Sequence, residues 1–280
     1  REPIAIDACG AAAAGATPEL YARHGHATIP WRGPLAANTV AGTISGWAEA
    51  LSIAREIGGR LPLARLVEDA CWHGETGFAV TASQAALTAE KLSELEAAPG
   101  FKATFLIDGR LPREGEVMRL PALARTLTRL GLDGPESFCR GAVAKDLAAD
   151  LAAAGSPVAL GDLERHEALR VAPLEVGLKG ARLYNLPPPT QGLASLMILA
   201  LYERLGVTEP ESFEHVHGLI EATKQAFLVR DRIIGDPASM TERPAKHLQA
   251  ARLDALAARI DRVRAMPWPA PADKGDTIWL

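Results

Sequence analysis

The chain has 280 residues, of which 48% are hydrophobic and 23% charged, a mixture typical of one or two packed globular domains. Its 30 basic and 34 acidic residues give a net charge of −4, which argues against a nucleic-acid-binding surface. No apolar run reaches the roughly 20 residues that span a membrane. The three cysteines are too few for a disulfide framework and favour a cytoplasmic over a periplasmic setting. Arg1 is not a native start, so a targeting segment could have preceded it.

Hydrophobic periodicity predicts a chain dominated by helices, with strands too few to complete a sheet. Strands are expected at residues 4–7 and 104–107, and an antiparallel pair within 174–183. Thr17 before Pro18 is typical of a helix start, and residues 23–34 should be irregular. The remaining helices are expected at residues 47–54, 62–71, 81–95, 120–130, 135–153, 191–205, 210–229 and 244–264. Alternating prolines from Pro267 to Pro271 predict an extended tether.

Common catalytic and metal-binding motifs are absent from the sequence. It has no phosphate loop, no His-Glu-x-x-His and no Cys-x-x-Cys. Residues 42–46 resemble a nucleophile elbow, but two residues separate Gly42 from Ser45 where one is required. A tight helix start is therefore the alternative interpretation of this segment.

Several chemically capable residues have simpler structural explanations. The pairs His24/His26 and His215/His217 could bind a metal from a strand, but neither has a third ligand at a suitable spacing. The second pair falls in a predicted helix, where positions i and i+2 diverge. Cys71 and Cys139 are expected to be packing residues, and residues 230–232 a charged helix face or an interior salt bridge. No metal site is predicted.

Residues 187–192 form a more specific pattern, with three prolines directly before a predicted helix. The prolines make a rigid corner, and Thr190 is placed to cap the helix that follows. By physical chemistry alone this segment is structural.

Four segments, taken in order, resemble the large subunit of the gamma-glutamyltransferase family of N-terminal nucleophile hydrolases. They are residues 38–47, 120–127, 187–192 and 221–237. The first departs from the family pattern at Ala41, which replaces a proline. The resemblance covers essentially the whole chain. It implies an α+β, αββα N-terminal nucleophile hydrolase fold, here mainly its helix-rich large-subunit portion.

Residues 275–280 resemble the processing junction of that family, where the precursor cleaves itself before a threonine. The resemblance implies that residues 1–276 are an N-terminally incomplete large-subunit portion and that residues 277–280 begin the small subunit. Cleavage between Asp276 and Thr277 would make Thr277 the nucleophile. Its hydroxyl is weak alone, but the α-amino group freed by cleavage, with a pKa of about 7.7–8.0, can act as its base. A polar loop at a strand start is the alternative.

Residues 7–10 depart from the family pattern at the position that binds substrate. The family has Asp-x-Arg-Glu there, and its arginine holds the substrate α-carboxylate, whereas this chain has Cys9 and Gly10. Cys9 cannot supply that contact, so Arg23 and Arg32 are the candidate replacements. The substitution favours the acylase and amidohydrolase members, such as cephalosporin acylases and an oxamate amidohydrolase.

The function that the resemblance implies is a self-processing amide hydrolase or acyltransferase precursor that acts through an acyl-enzyme on Thr277. The expected partners are a small amide substrate and the chain's own small subunit, with which it would form a heterodimer. A homo-oligomer of these heterodimers is left open. Binding to nucleic acid or to membranes is not expected. No cofactor is expected. The family's oxyanion glycines lie after Leu280, so this stretch alone should not turn over substrate. The alternatives are a true gamma-glutamyltransferase (glutathione hydrolase) and a catalytically silent binding module.

Overall fold

The computed structural model describes residues 3–268, which divide into two compact units. One unit contains residues 8–169, and the other contains residues 3–7 together with residues 170–268. Asp276 and Thr277, the predicted junction, lie outside the described residues.

The unit of residues 8–169, called here the N-terminal unit, is built from short helices. They are α1 (Pro18–Arg23), α2 (Thr43–Glu56), α3 (Leu63–Leu66), α4 (Glu68–Thr76), α5 (Ala82–Leu95), α6 (Phe101–Phe105), α7 (Pro121–Asp133), α8 (Ser137–Arg140), α9 (Ala142–Ala154) and α10 (Leu160–Arg165). Strands β2 (Phe78–Ala79) and β3 (Val117–Met118) pair antiparallel, with Phe78 opposite Met118. Two small apolar clusters, one centred on Leu163 and one on Leu130, form its core.

Two helix starts in this unit follow from local side-chain chemistry. The Thr17 hydroxyl accepts the Leu20 N–H at 3.3 Å, directly before Pro18, and so confirms the predicted start of α1. The Thr81 hydroxyl accepts the Gln84 N–H at 3.1 Å and caps α5 in the same way. Each cap satisfies an amide that the helix itself leaves without a partner.

The second unit, called here the C-terminal unit, has longer helices and one continuous core. Its elements are α11 (Gly192–Leu205), α12 (Phe213–Ile233), α13 (Ala250–Ala257), two 3-10 helices (Pro237–Ser239 and Pro244–Leu248) and strands β1 (Ala5–Asp7), β4 (Leu169–Val171), β5 (Leu174–Leu178) and β6 (Ala181–Asn185). Strand β1 pairs with β4, and β5 with β6 in a hairpin that places Leu174 opposite Asn185. Helix α11 is apolar on almost every side because it lies between the hairpin, α12 and α13.

Some predicted elements are wrong. Residues 104–107 were expected to form a strand, but Phe101–Phe105 is helical, and the rings of Phe101 and Phe105 are in contact one turn apart, with centroids separated by 5.2 Å. Residues 244–264 were expected to form one helix, but extended backbone at Gln249 separates a 3-10 turn from α13, which ends at Ala257. The predicted helices at 62–71 and 135–153 are each broken, at Val67 and at Gly141.

The predicted strand at residues 4–7 and the predicted hairpin within 174–183 are confirmed by β1, β5 and β6. Strands β2, β3 and β4 were not predicted, because two or three residues carry too little alternation to identify a strand. Within the described residues, no helix is both long and apolar enough to cross a membrane.

Candidate functional site

The loop after β1 pairs with residues 38–40, which begin the first of the four segments that resemble the family. The Ala13 N–H donates to the Asn38 carbonyl at 2.8 Å, and the Val40 N–H donates to the Ala11 carbonyl at 3.0 Å. These antiparallel contacts bring the region of Cys9 and Gly10 against residues 38–47, two motifs that lie well apart along the chain.

Glycines make this close approach possible. A Cβ on Gly10 would lie 1.8 Å from the Val40 carbonyl oxygen, and a Cβ on Gly42 would lie 1.8 Å from the Ala8 carbonyl oxygen. The same Gly42 Cβ would lie 2.9 Å from Nε2 of His166. No larger residue fits at either position without displacing backbone. Gly10 therefore has a packing role in the N-terminal unit.

A cavity of about 460 Å³ opens beside this loop, and it is called here the Cys9 cavity. Its walls come from the loop after β1, from Val40 and from the end of α10. They consist of Cys9, Ala11, Ala12, Ala14, Val40, Asp162, Arg165, His166 and Glu167. The Cys9 side chain is exposed, and the cationic residue in this set is Arg165.

Asp162 fixes the cavity wall. Its buried carboxylate accepts the Ala14 N–H at 3.0 Å, the Ala159 N–H at 2.9 Å and Nη2 of Arg165 at 2.5 Å. Burial alone would raise the pKa of Asp162, but the two amide donors and Arg165 together lower the pKa below its ordinary value. The ionised carboxylate therefore ties the loop and Arg165 to the start of α10.

Two further hydrogen bonds hold the segment after α10. Nη2 of Arg140 donates to the His166 carbonyl at 3.0 Å, and the Ser45 hydroxyl accepts the Ala168 N–H at 2.7 Å. Ser45 lies in the first turn of α2, which begins at Thr43. The tight helix start proposed for residues 42–46 is therefore confirmed, and the Ser45 hydroxyl has a structural partner.

The two arginines proposed as replacements for the family arginine lie away from the Cys9 cavity. Arg23 is exposed at the end of α1, and Arg32 forms an ion pair with Glu94 of α5. Arg165 occupies the cavity wall instead, a residue that the sequence reasoning did not single out. An acidic and a basic residue three apart, Asp162 and Arg165, could have indicated an ion pair on a helix, but nothing local indicated the cavity.

The histidine pairs do not form metal sites in the described part of the chain. His24 and His26 are both exposed, at the end of α1 and just after it. On α12, Nδ1 of His215 lies 2.9 Å from the Tyr202 hydroxyl, whereas Nε2 of His217 lies 2.8 Å from the Asp261 carbonyl oxygen. The second pair diverges as predicted. Residues 3–268 contain no group of three or more His, Cys, Asp or Glu side chains that could hold a metal ion.

None of the three cysteines forms a disulfide bond. Cys139 is buried and burial raises its pKa, so it packs as a neutral thiol. Cys71 is only half-buried, and its Sγ lies 3.8 Å from the Ala124 carbonyl oxygen. Among the three, Cys9 alone lines the Cys9 cavity.

The corner at residues 187–192 is structural. The Thr190 hydroxyl accepts the Gly192 N–H at 3.2 Å, but Gln191 occupies the N-cap position, one residue later than predicted. A Cβ on Gly192 would lie 2.0 Å from the Leu186 carbonyl oxygen, so the corner closes on itself only with glycine at this position.

Helix α12 holds the chain at the start of the predicted tether, of which residues 269–271 lie outside the described range. The buried Glu221 carboxylate accepts Nζ of Lys224 at 2.6 Å and the Met266 N–H at 3.1 Å, and Lys224 also donates to the Met266 carbonyl at 2.7 Å. The Trp268 ring then meets the edge of Phe227, with centroids 6.4 Å apart. These contacts are the last described ones before the predicted junction.

The fold is that of N-terminal nucleophile hydrolases, as solved structures show. A gamma-glutamyltranspeptidase from Pseudomonas nitroreducens, complexed with L-DON, matches with a TM-score of 0.82 and 26% identity, over 95% of this chain and 79% of that one. A cephalosporin acylase from Bacillus halodurans matches with a TM-score of 0.84 and 26% identity, over 93% of this chain and 49% of that one. The predicted fold class is confirmed.

The sequence matches the family described as Gamma-glutamyltranspeptidase over residues 1–280, and the chain belongs to that family. It is 49% identical to the oxamate amidohydrolase proenzyme of Klebsiella pneumoniae, over 100% of this chain and 53% of the relative. It is 33% identical to the glutathione hydrolase-like YwrD proenzyme of Bacillus subtilis, over 76% of this chain and 40% of the relative. The predicted resemblance, including its preference for acylase and amidohydrolase members, is confirmed. The chain spans about half the length, or less, of these two curated relatives.

Proposed function

We propose that the chain is part of a self-processing amide hydrolase or acyltransferase precursor whose substrate is a short amide with a carboxylate on its acyl part. The observation that carries the proposal is the 49% identity, along the whole chain, to a relative named as an oxamate amidohydrolase proenzyme. The absence of the family arginine at Cys9 supports an amidohydrolase over a gamma-glutamyltransferase, because a thiol cannot form a bidentate bond to an α-carboxylate.

Thr277 is the proposed nucleophile, and its chemistry requires cleavage first. While the Asp276–Thr277 amide is intact, the Thr277 nitrogen cannot accept a proton. After cleavage, this amine takes the proton of the Thr277 hydroxyl as the oxygen attacks the substrate carbonyl, and it returns the proton to the leaving amine. Water then attacks the ester and releases the acid, or an acceptor amine takes the acyl group.

Arg165 is the proposed partner of the substrate carboxylate. It lines the Cys9 cavity, and its pairing with Asp162 uses one N–H while a guanidinium has five. The pairing also restricts the side chain, so less conformational freedom would be lost on binding.

The test compares oxamate, a gamma-glutamyl anilide and a glutaryl-cephalosporin as substrates of the processed full-length enzyme. We expect kcat/KM to be highest for oxamate, and Arg165→Gln to raise KM for oxamate about tenfold or more, the loss of one charge-assisted hydrogen bond. Arg125→Gln is the matched control, because Arg125 is exposed on α7 and does not line the Cys9 cavity. Highest activity on the gamma-glutamyl anilide would favour a true gamma-glutamyltransferase instead.

A catalytically silent binding module is the second candidate, favoured by the absence of the family arginine. A burst of product on mixing processed enzyme with amide substrate would exclude it, because a burst requires an acyl-enzyme.

A further inference from the structure

Three arginines surround a second cavity, which lies wholly within the C-terminal unit and has a volume of about 250 Å³. Helices α12 and α13 form its two walls. Arg232 belongs to α12, Arg252 to α13, and Arg259 follows the end of α13. The lining also includes the apolar side chains of Leu228, Val229 and Leu256.

Neighbouring acidic residues do not neutralise this cluster. Asp231 pairs with Arg230 at 2.7 Å, and Asp254 of α13 pairs with Arg204 at 2.6 Å. Glu242 lies 3.7 Å from Arg252 and 3.1 Å from Nε2 of His247.

Arg232 and Arg259 form no side-chain hydrogen bond or ion pair with any residue between 3 and 268. His247 is buried in the wall, and burial together with Arg252 lowers its pKa, so the imidazole is neutral near pH 7. Among residues 3–268, the three guanidinium groups and the Glu242 carboxylate sum to two positive charges around the cavity.

A cavity with one sign of charge concentrates ions of the other sign, and guanidinium groups bind carboxylates and phosphates in bidentate fashion. We propose that this cavity is a binding site for a small oxyanion of charge −2, a short dicarboxylate or a phosphate. Arg232 on α12 and Arg259 after α13 hold the anion, and the apolar side chains of the lining accommodate a short carbon chain. The site does not depend on the proposed function, since none of its residues lines the Cys9 cavity.

The test is isothermal titration calorimetry of the full-length processed protein with inorganic phosphate and with succinate, at constant ionic strength set by chloride. We expect one equivalent of anion to bind saturably. The anion with the lower Kd, phosphate or succinate, shows whether the site prefers a phosphate or a dicarboxylate. Arg232→Gln and Arg259→Gln should each weaken binding about tenfold, and Arg232→Lys by less, because lysine keeps the charge without the fork. Arg264→Gln, a change at an exposed arginine outside the cavity, should leave affinity unchanged.

Two results would overturn the proposal: absence of saturable binding by both dianions, or equal affinity of wild type and the double Arg232→Gln, Arg259→Gln variant. A readout on unmodified protein avoids any folding defect of the variants. In wild-type protein with ¹⁵N-labelled arginine, phosphate should shift the Nε–H resonances of Arg232 and Arg259. If the Nε–H resonances of Arg232 and Arg259 do not shift at saturating phosphate, the proposed site is contradicted. This is the result expected if an acidic side chain from the rest of the full-length protein fills the cavity.

Discussion

The two units of the chain are stabilised in different ways. The C-terminal unit has one core cluster of 14 buried hydrophobic residues, from Leu174 to Ile260. The N-terminal unit has two smaller clusters of five buried residues each. Each unit also has a glycine pressed against backbone and a buried carboxylate, Gly42 and Asp162 in the N-terminal unit and Gly192 and Glu221 in the C-terminal unit. Apolar burial is tolerant of small changes, whereas backbone contact and a buried charge are not. The Cys9 cavity therefore lies in the unit with the smaller apolar clusters, beside two contacts that tolerate little change.

The largest effect is expected from Gly42→Ala in the N-terminal unit. The new Cβ would overlap the Ala8 carbonyl oxygen at 1.8 Å, so backbone must move, at a cost of at least about 3 kcal/mol in the free energy of unfolding. Hydrogen exchange measured by mass spectrometry should show faster exchange in residues 8–14 and 38–47. Gly235→Ala is the control, because no atom lies within 4 Å of its added Cβ. Equal exchange in the two variants would contradict the close approach.

The apolar core of the C-terminal unit is tested by Leu201→Ala. Leu201 is fully buried on α11, so truncation should lower the free energy of unfolding by about 3 kcal/mol in urea titrations. Leu132→Ala, at a side chain that is 77% exposed, should change it by less than about 0.5 kcal/mol. Similar losses in both variants would show that burial does not distinguish the two positions.

A smaller, pH-dependent effect is expected from Asp162→Asn. The asparagine amide keeps one acceptor oxygen, but its NH₂ group replaces the other oxygen and faces a backbone N–H, so that two donors oppose each other. We therefore expect the free energy of unfolding to fall by about 2 kcal/mol at pH 7. Because the folded-state pKa of Asp162 is lowered, its stabilisation is complete above the ordinary pKa of 3.8 and is lost as the pH falls through the lowered value. Melting curves of the two proteins should therefore converge in acid. A difference that stays constant with pH would rule out the ionised carboxylate as its cause.

The smallest effect is expected at a helix cap. Thr81→Ala removes the acceptor for the Gln84 N–H and should cost about 1 kcal/mol, measured by urea unfolding. Thr126→Ala in α7 is the matched control, because the Thr126 hydroxyl bonds back to the Ala122 carbonyl within the helix and caps nothing. If both variants lose equal stability, the cap has no specific role.

The same contrast explains what the sequence could predict. Helix α12 follows from its apolar periodicity, α11 from its nearly continuous apolar run, and the starts of α1 and α5 from Thr17 and Thr81. The break at Gln249 was not predictable, because no glycine or proline stands at that position to mark it. The role of Arg165 in the Cys9 cavity depends on a contact between distant parts of the chain, which no local pattern reveals.

The identity of the nucleophile is tested most directly by the mass of the full-length precursor after purification and incubation. We expect two fragments, the smaller beginning with Thr277, and an intact chain for Thr277→Ala. Thr277→Ser should still cleave, since its hydroxyl can perform the same attack. A wild-type precursor that stays intact, or a Thr277→Ala variant cut at the same bond, would contradict Thr277 as the nucleophile.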